Sequence, residues 1–171
     1  MKDIIRLRPG RVRGFSRQRG LVMPVDEEPL RDALAPDIVI DGLKLTRKHE
    51  FHVTLLDRKE AALVAEFIDD DALRARLLRE DWTARASGSP WLIRDTRRDG
   101  SWRHSIVQLL ELPALAAFRR GLAEPGALDL PEMPPHITLY VAGDPKGIGL
   151  GSQTRFETLR MRILPSGPWI A

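Results

Sequence analysis

Two short stretches decide how this chain is read: Phe51-His52-Val53-Thr54-Leu55-Leu56 and Pro135-His136-Ile137-Thr138-Leu139-Tyr140. Each is rich in β-branched and aromatic residues, which favour a pleated strand. On a strand alternate side chains share a face. His52 and Thr54 therefore point one way while Phe51, Val53 and Leu55 point into a core. In the second stretch His136, Thr138 and Tyr140 share a face, against Ile137, Leu139 and Val141. With four His and seven Thr in 171 residues, chance placement gives about 0.16 His-x-Thr pairs. Two are present, both in strand-like runs and both followed by Leu.

Working outward, each half carries strand material, then helix, then more strand, which predicts an α+β fold. Leu21 to Val25 reads as a first strand, with an acidic helix start at Asp26-Glu27-Glu28 and a helix to about Ala35. Asp41-Gly42 between apolar triplets predicts a tight hairpin. Lys59 to Ile68 has helical spacing with Leu63, Val64 and Phe67 on one face. Asp69-Asp70-Asp71 caps a following helix that runs to about Trp82. Ser87-Gly88-Ser89-Pro90 breaks the chain near its midpoint. A long hairpin is expected over Trp91–Thr96 and Ser101–Leu112, with its turn at residues 97–100. Pro113 then opens a helix to about Ala123. After the second motif comes a glycine-rich loop, Gly143 to Gly151, and a last strand around Arg155 to Leu164. Gly147-Ile148-Gly149-Leu150-Gly151 has no helix signal directly after it, so a dinucleotide cradle is not expected. Its place after the second motif suggests a mobile lid.

Composition narrows the function classes. The chain has no cysteine, which excludes disulfides, thiolate nucleophiles and cysteine-held metals. No run approaches the eighteen or so apolar residues of a membrane span, and Ile4-Ile5 runs straight into arginines rather than a signal-peptide core. A cytoplasmic protein with no membrane partner is expected. Net charge is +3, but unevenly spread. Residues 1–20 hold Lys2, Arg6, Arg8, Arg11, Arg13, Arg17 and Arg19 against Asp3 alone. Residues 1–18 are accordingly set apart as a basic arm before a single domain over 19–171. Such an arm suits phosphate backbones, or is a solvated tail. His49 and His52, three apart on a strand, face opposite ways and do not form a metal pair. Trp102 and His104 share a hairpin face and offer either a base-stacking contact or ordinary edge packing.

The paired motifs resemble the 2H phosphoesterase superfamily, which is defined by two His-x-Thr/Ser motifs followed by an apolar residue. Arg19-Gly20-Leu21-Val22-Met23-Pro24-Val25 is similar to the opening strand of many members, and order and spacing fit over roughly residues 19–164. The resemblance implies two pseudo-symmetric lobes of antiparallel sheet with flanking helices around a central cleft.

The chemistry follows from the residue types. Opening a 2′,3′-cyclic phosphate needs a base for water, an acid for the departing ribose oxygen, and donors for the phosphoryl oxygens. His52 and His136 can supply base and acid, in either order. Thr54 and Thr138 can hold the phosphate oxygens. Tyr140 is grouped with these substrate-binding residues by its face; its alternative is packing at the strand end. No metal or cofactor is called for. The expected substrate is an RNA end or a cyclic nucleotide. The rivals are a phosphodiesterase of a small cyclic oligonucleotide signal, an RNA-end-binding module with little turnover, and a structural duplication with coincidental His and Thr.

Overall fold

The computed structural model describes residues 4–15 and 19–165. Among them lie ten strands and five α-helices in a mixed α+β arrangement built on a curled antiparallel sheet. The strands are β1 (Ile4–Arg6), β2 (Leu21–Pro24), β3 (Asp37–Ile40), β4 (Leu43–Arg47), β5 (His52–Leu56), β6 (Thr83–Ala86), β7 (Trp91–Thr96), β8 (Trp102–Glu111), β9 (His136–Ala142) and β10 (Arg160–Ile163). The helices are α1 (Glu27–Ala33), α2 (Arg58–Ala65), α3 (Asp70–Leu77), α4 (Pro113–Ala123) and α5 (Gln153–Leu159).

Eight strands form one sheet in the order β1-β6-β8-β9-β4-β3, with β7 on β8 and β10 on β7; β2 and β5 pair separately. Local chemistry accounts for most of the elements. Asp41 (φ 51°) and Gly42 (φ 79°) supply the two left-handed positions of the β3–β4 turn. Asp57 accepts from the backbone of Lys59 and Glu60 while Glu60 reaches back to the Asp57 amide, a closed capping box for α2. Asp69 caps α3 through the Ala72 amide, and Pro113 opens α4.

Several expectations are corrected. Residues 4–13 do not stand outside the domain. β1 pairs with β6, and Leu7 and Arg13 bridge to Val25 and Val22. Residues 1–3 and 16–18 of the expected arm lie outside the described residues. The helix expected to reach Trp82 ends at Leu77, whose carbonyl accepts from the Trp82 indole at 2.6 Å, and β6 follows. On α2 the buried residues are Glu60, Ala61 and Val64, whereas Leu63 and Phe67 are exposed. The last strand is preceded by a helix: Ser152 caps α5 through the Arg155 amide, and only residues 160–163 are extended.

Two apolar clusters lie on the two faces of the sheet. The main one holds Leu45, Phe51, Val53, Leu55, Ile106, Phe118 and Tyr140. The second holds Ile93, Val107, Ile148, Leu150 and Phe156. The glycine-rich loop is therefore part of a core, fastened by buried Ile148 and Leu150 and by the Ile148 amide donating to Ser105 Oγ at 3.1 Å. It is not a free lid.

Candidate functional site

Strand β5 pairs with β2, setting His52 opposite Pro24 and Thr54 opposite Val22. Strand β9 lies between β8 and β4, with His136 opposite Leu109 and Thr138 opposite Val107. The two motif strands approach each other without sharing a ladder.

Both strands are irregular at the same motif position. In β5 the partners step from Val22–Thr54 to Leu21–Leu56, leaving Leu55 unpaired. In β9 they step from Val107–Thr138 to Ile106–Tyr140, leaving Leu139 unpaired. An extra residue of this kind bends a strand and resets its alternation. Each unpaired leucine finds another partner for its carbonyl. Leu55 accepts from Arg119 Nη1 at 2.8 Å and Leu139 from the Lys48 amide at 2.9 Å.

The bulge explains where Tyr140 lies. Residues opposite one another on a ladder share a face. Thr138 therefore shares the face of Val107, in the second cluster, while Tyr140 shares that of Ile106, in the main core. Tyr140 is fully buried, and its hydroxyl donates to the Ala35 carbonyl at 3.0 Å. The expected substrate contact by Tyr140 is thus corrected to a packing role. Trp102 and His104 lie on the face of Ile106 too, away from Thr138. Trp102 is half exposed with the Arg94 guanidinium 4.1 Å over its ring.

His52, Thr54 and Thr138 are half-buried, while His136 is buried. The loop after β9 passes close over Thr138. A Cβ on Gly147 would come 3.3 Å from Thr138 Cγ2, and its φ of +82° already favours glycine.

The two imidazoles sit in different settings. His136 Nδ1 lies 2.9 Å from the Pro134 carbonyl. A carbonyl only accepts, so Nδ1 carries the proton and Nε2 is the bare nitrogen of the neutral ring. Burial pushes its pKa below the usual histidine range, with the Pro134 bond opposing. His52 is held at about 4, first by burial and then by the Lys48, Arg13 and His136 charges, with Glu50 opposing. The His136 charge thus reaches His52. His52 Nδ1 is buried and has no partner among the described residues. A nitrogen left this way is costly unless a further group completes it.

Beside His52 opens a pocket of about 640 Å³, bounded by β4, the turn into β5 and residues 141–145. Lys48, Arg47 and exposed His49 lie on it. Beyond nearness in the chain, no motif joined these three residues to His52 in the sequence. Among the described residues no group of three or more His, Asp or Glu side chains is placed to hold a metal ion. No family model, curated protein or solved structure matches this chain.

Proposed function

We propose that this chain is a phosphoesterase of the 2H kind, opening a 2′,3′-cyclic phosphate or cleaving a 2′-linked phosphodiester of RNA or a nucleotide. The observation that carries the reading is the matched pair of His-Thr strands. They approach each other, each broken by an unpaired leucine directly after its threonine, and the His136 charge reaches His52.

In this scheme water attacks phosphorus in line with the departing ribose oxygen. One imidazole takes the water proton, the other delivers a proton to the leaving oxygen, and the product is a phosphomonoester. Thr54 and Thr138 donate to the non-bridging oxygens, where charge is stabilised in the transition state. Burial disposes both histidines to be neutral. An anionic phosphate between them favours the charged ring, so the acid is created on binding. Among the described residues no helix is long and apolar enough to cross a bilayer.

The test is hydrolysis of 2′,3′-cyclic mononucleotides, cyclic-phosphate-ended RNA and 2′,5′-linked dinucleotides, with EDTA present. Turnover of at least one, lost in His52→Asn and His136→Asn, is the expected result. Absence of turnover across the set, or dependence on a divalent ion, rejects it.

A second reading is an RNA-end-binding module with little turnover. The depressed histidine pKa values favour it, because the resting site holds no ready acid. Tight binding of cyclic-phosphate-ended RNA without hydrolysis would select it.

A further inference from the structure

The pocket has His52 on its wall, and it carries cations that the two-histidine scheme does not use. Two carboxylates face it, and each has a cation outside the pocket. Arg13 lies 2.9 Å from Glu50, and Arg103 lies 3.6 Å from Asp144. The two cations nearest the β5 turn hydrogen-bond to neutral carbonyls, with Glu50 and Asp144 acting on Lys48 only through space. Arg47 Nη1 donates to the carbonyls of Arg31 and Leu34, at 2.8 and 2.5 Å. Lys48 Nζ donates to the Pro145 carbonyl at 2.6 Å and has no carboxylate within ion-pair distance among the described residues. An ammonium has three donors, so Lys48 has capacity left for an incoming group. It is also anchored: its own amide holds the Leu139 carbonyl at the β9 bulge.

We propose that this pocket is a second anion subsite, in which Lys48 binds a phosphate of the substrate other than the one between the histidines. The proposal rests on the reading of the His-Thr cleft as a phosphate-ester site, and it narrows the substrate. A cyclic mononucleotide with a free 5′-hydroxyl leaves the subsite empty; a 5′-phosphorylated nucleotide or an oligonucleotide fills it. A lysine ammonium suits this task, being a compact, movable point charge for phosphate.

The experiment compares one nucleotide with and without its second phosphate. Binding of adenosine 3′,5′-bisphosphate and of 3′-AMP is measured by calorimetry on the full chain, with Lys48→Met and Lys48→Arg alongside. Turnover of 2′,3′-cyclic AMP is compared with that of its 5′-phosphorylated form. In the unaltered protein the second phosphate should tighten binding about tenfold or more, as expected of a hydrogen bond to a charged group. That gain should vanish in Lys48→Met and largely survive in Lys48→Arg. Bisphosphate binding no tighter than monophosphate, or a gain that persists in Lys48→Met, overturns the subsite. The two readings fail separately. A bisphosphate gain without turnover of either cyclic nucleotide removes the enzyme and keeps the subsite. Equal turnover of both cyclic nucleotides with no binding gain does the reverse.

Discussion

Arg119 Nη2 lies 2.6 Å from Glu60 Oε1, with both side chains more than nine-tenths buried. The pair is the centre of a larger clamp. Arg119 also donates to the carbonyls of Leu55 and Pro131, both at 2.8 Å, and Glu60 Oε2 accepts from the Asp57 amide at 2.8 Å. One residue of α4 thus ties the bulge after the first motif to the segment that leads into the second. Removing one member leaves a charge buried without its partner, which costs about 3–5 kcal/mol. Arg119→Ala and Glu60→Ala should each lower the urea midpoint accordingly. Arg119→Lys should also be harmful, because a lysine cannot reproduce the planar fork. A midpoint unchanged in either alanine variant would show that the clamp is idle.

For the histidines, His52→Asn and His136→Asn should each reduce turnover by roughly 10²–10⁴, the usual worth of a positioned proton-transfer group. Because both serve one reaction, the double variant should lose far less than the product of the two. Asparagine keeps a donor for the Pro134 carbonyl, so the fold should survive, as checked by circular dichroism. Near-normal rates in either single variant would remove that histidine from the chemistry.

Stability should depend on pH through His52. Its proton is disfavoured in the folded state, with a pKa of about 4 against the ordinary 6.5. Between these values the unfolded chain binds more protons, so stability falls as pH drops from 6.5 toward 4 and levels off below. At about 1.4 kcal/mol per unit the loss is on the order of 3 kcal/mol. His136, shifted the same way, adds to it. Melting temperatures of His52→Asn and the unaltered chain, measured between pH 7 and 4.5, should converge as pH falls. The activity profile follows the same groups. The acid limb of kcat/KM should lie well below pH 6.5, and bound phosphate should move the kcat profile upward.

The threonines separate donation from packing. Thr54→Val and Thr138→Val keep shape and remove the hydroxyl, and each should lower kcat by about ten- to a thousandfold. Thr→Ser variants should retain most activity. Equal losses with Val and Ser would assign these positions to packing, most readily at Thr138, which Gly147 crosses closely.

Where local chemistry decides an element, the chain is legible. Asp41-Gly42, the Asp69 cap and Pro113 all sit where their turn or helix begins. Legibility fails where a distant partner decides. Glu60 is buried on α2 only because Arg119, 59 residues away, takes its carboxylate. Leu63 and Phe67, apolar and helically spaced, are left exposed. Tyr140 follows alternation on paper, but the bulge at Leu139 depends on the register of β8. The expected strand from Arg155 gives way to α5, a helix of only seven residues that merges with β10. The His and Thr of the site are readable as residue types in a pattern. Lys48 and Arg119 are not, since neither belongs to a motif.

The basic N-terminal stretch gives the last prediction, and its sign is changed by the structure. A solvated arm could be removed at no cost to the fold. Here Val12 is buried, and Ile5 and Leu7 pack against the main core. Arg8 and Arg13 already pair with Asp26 and Glu50 at 2.8 and 2.9 Å. Burying a valine-sized side chain is worth about 1.5–3 kcal/mol, and the β1–β6 ladder adds to that. Deleting residues 1–14 should therefore cost at least about 3 kcal/mol, or roughly 6–12 °C in Tm for a chain of this size. Loss of RNA binding in such a truncation would then report unfolding rather than a missing phosphate contact. Arg11, exposed on its turn, is the better probe: Arg11→Gln leaves the ladder intact. If this stretch contacts an RNA backbone, that variant should flatten the slope of log affinity against log salt by up to about 0.7. A truncated chain that melts at the unaltered temperature would restore the picture of a free tail.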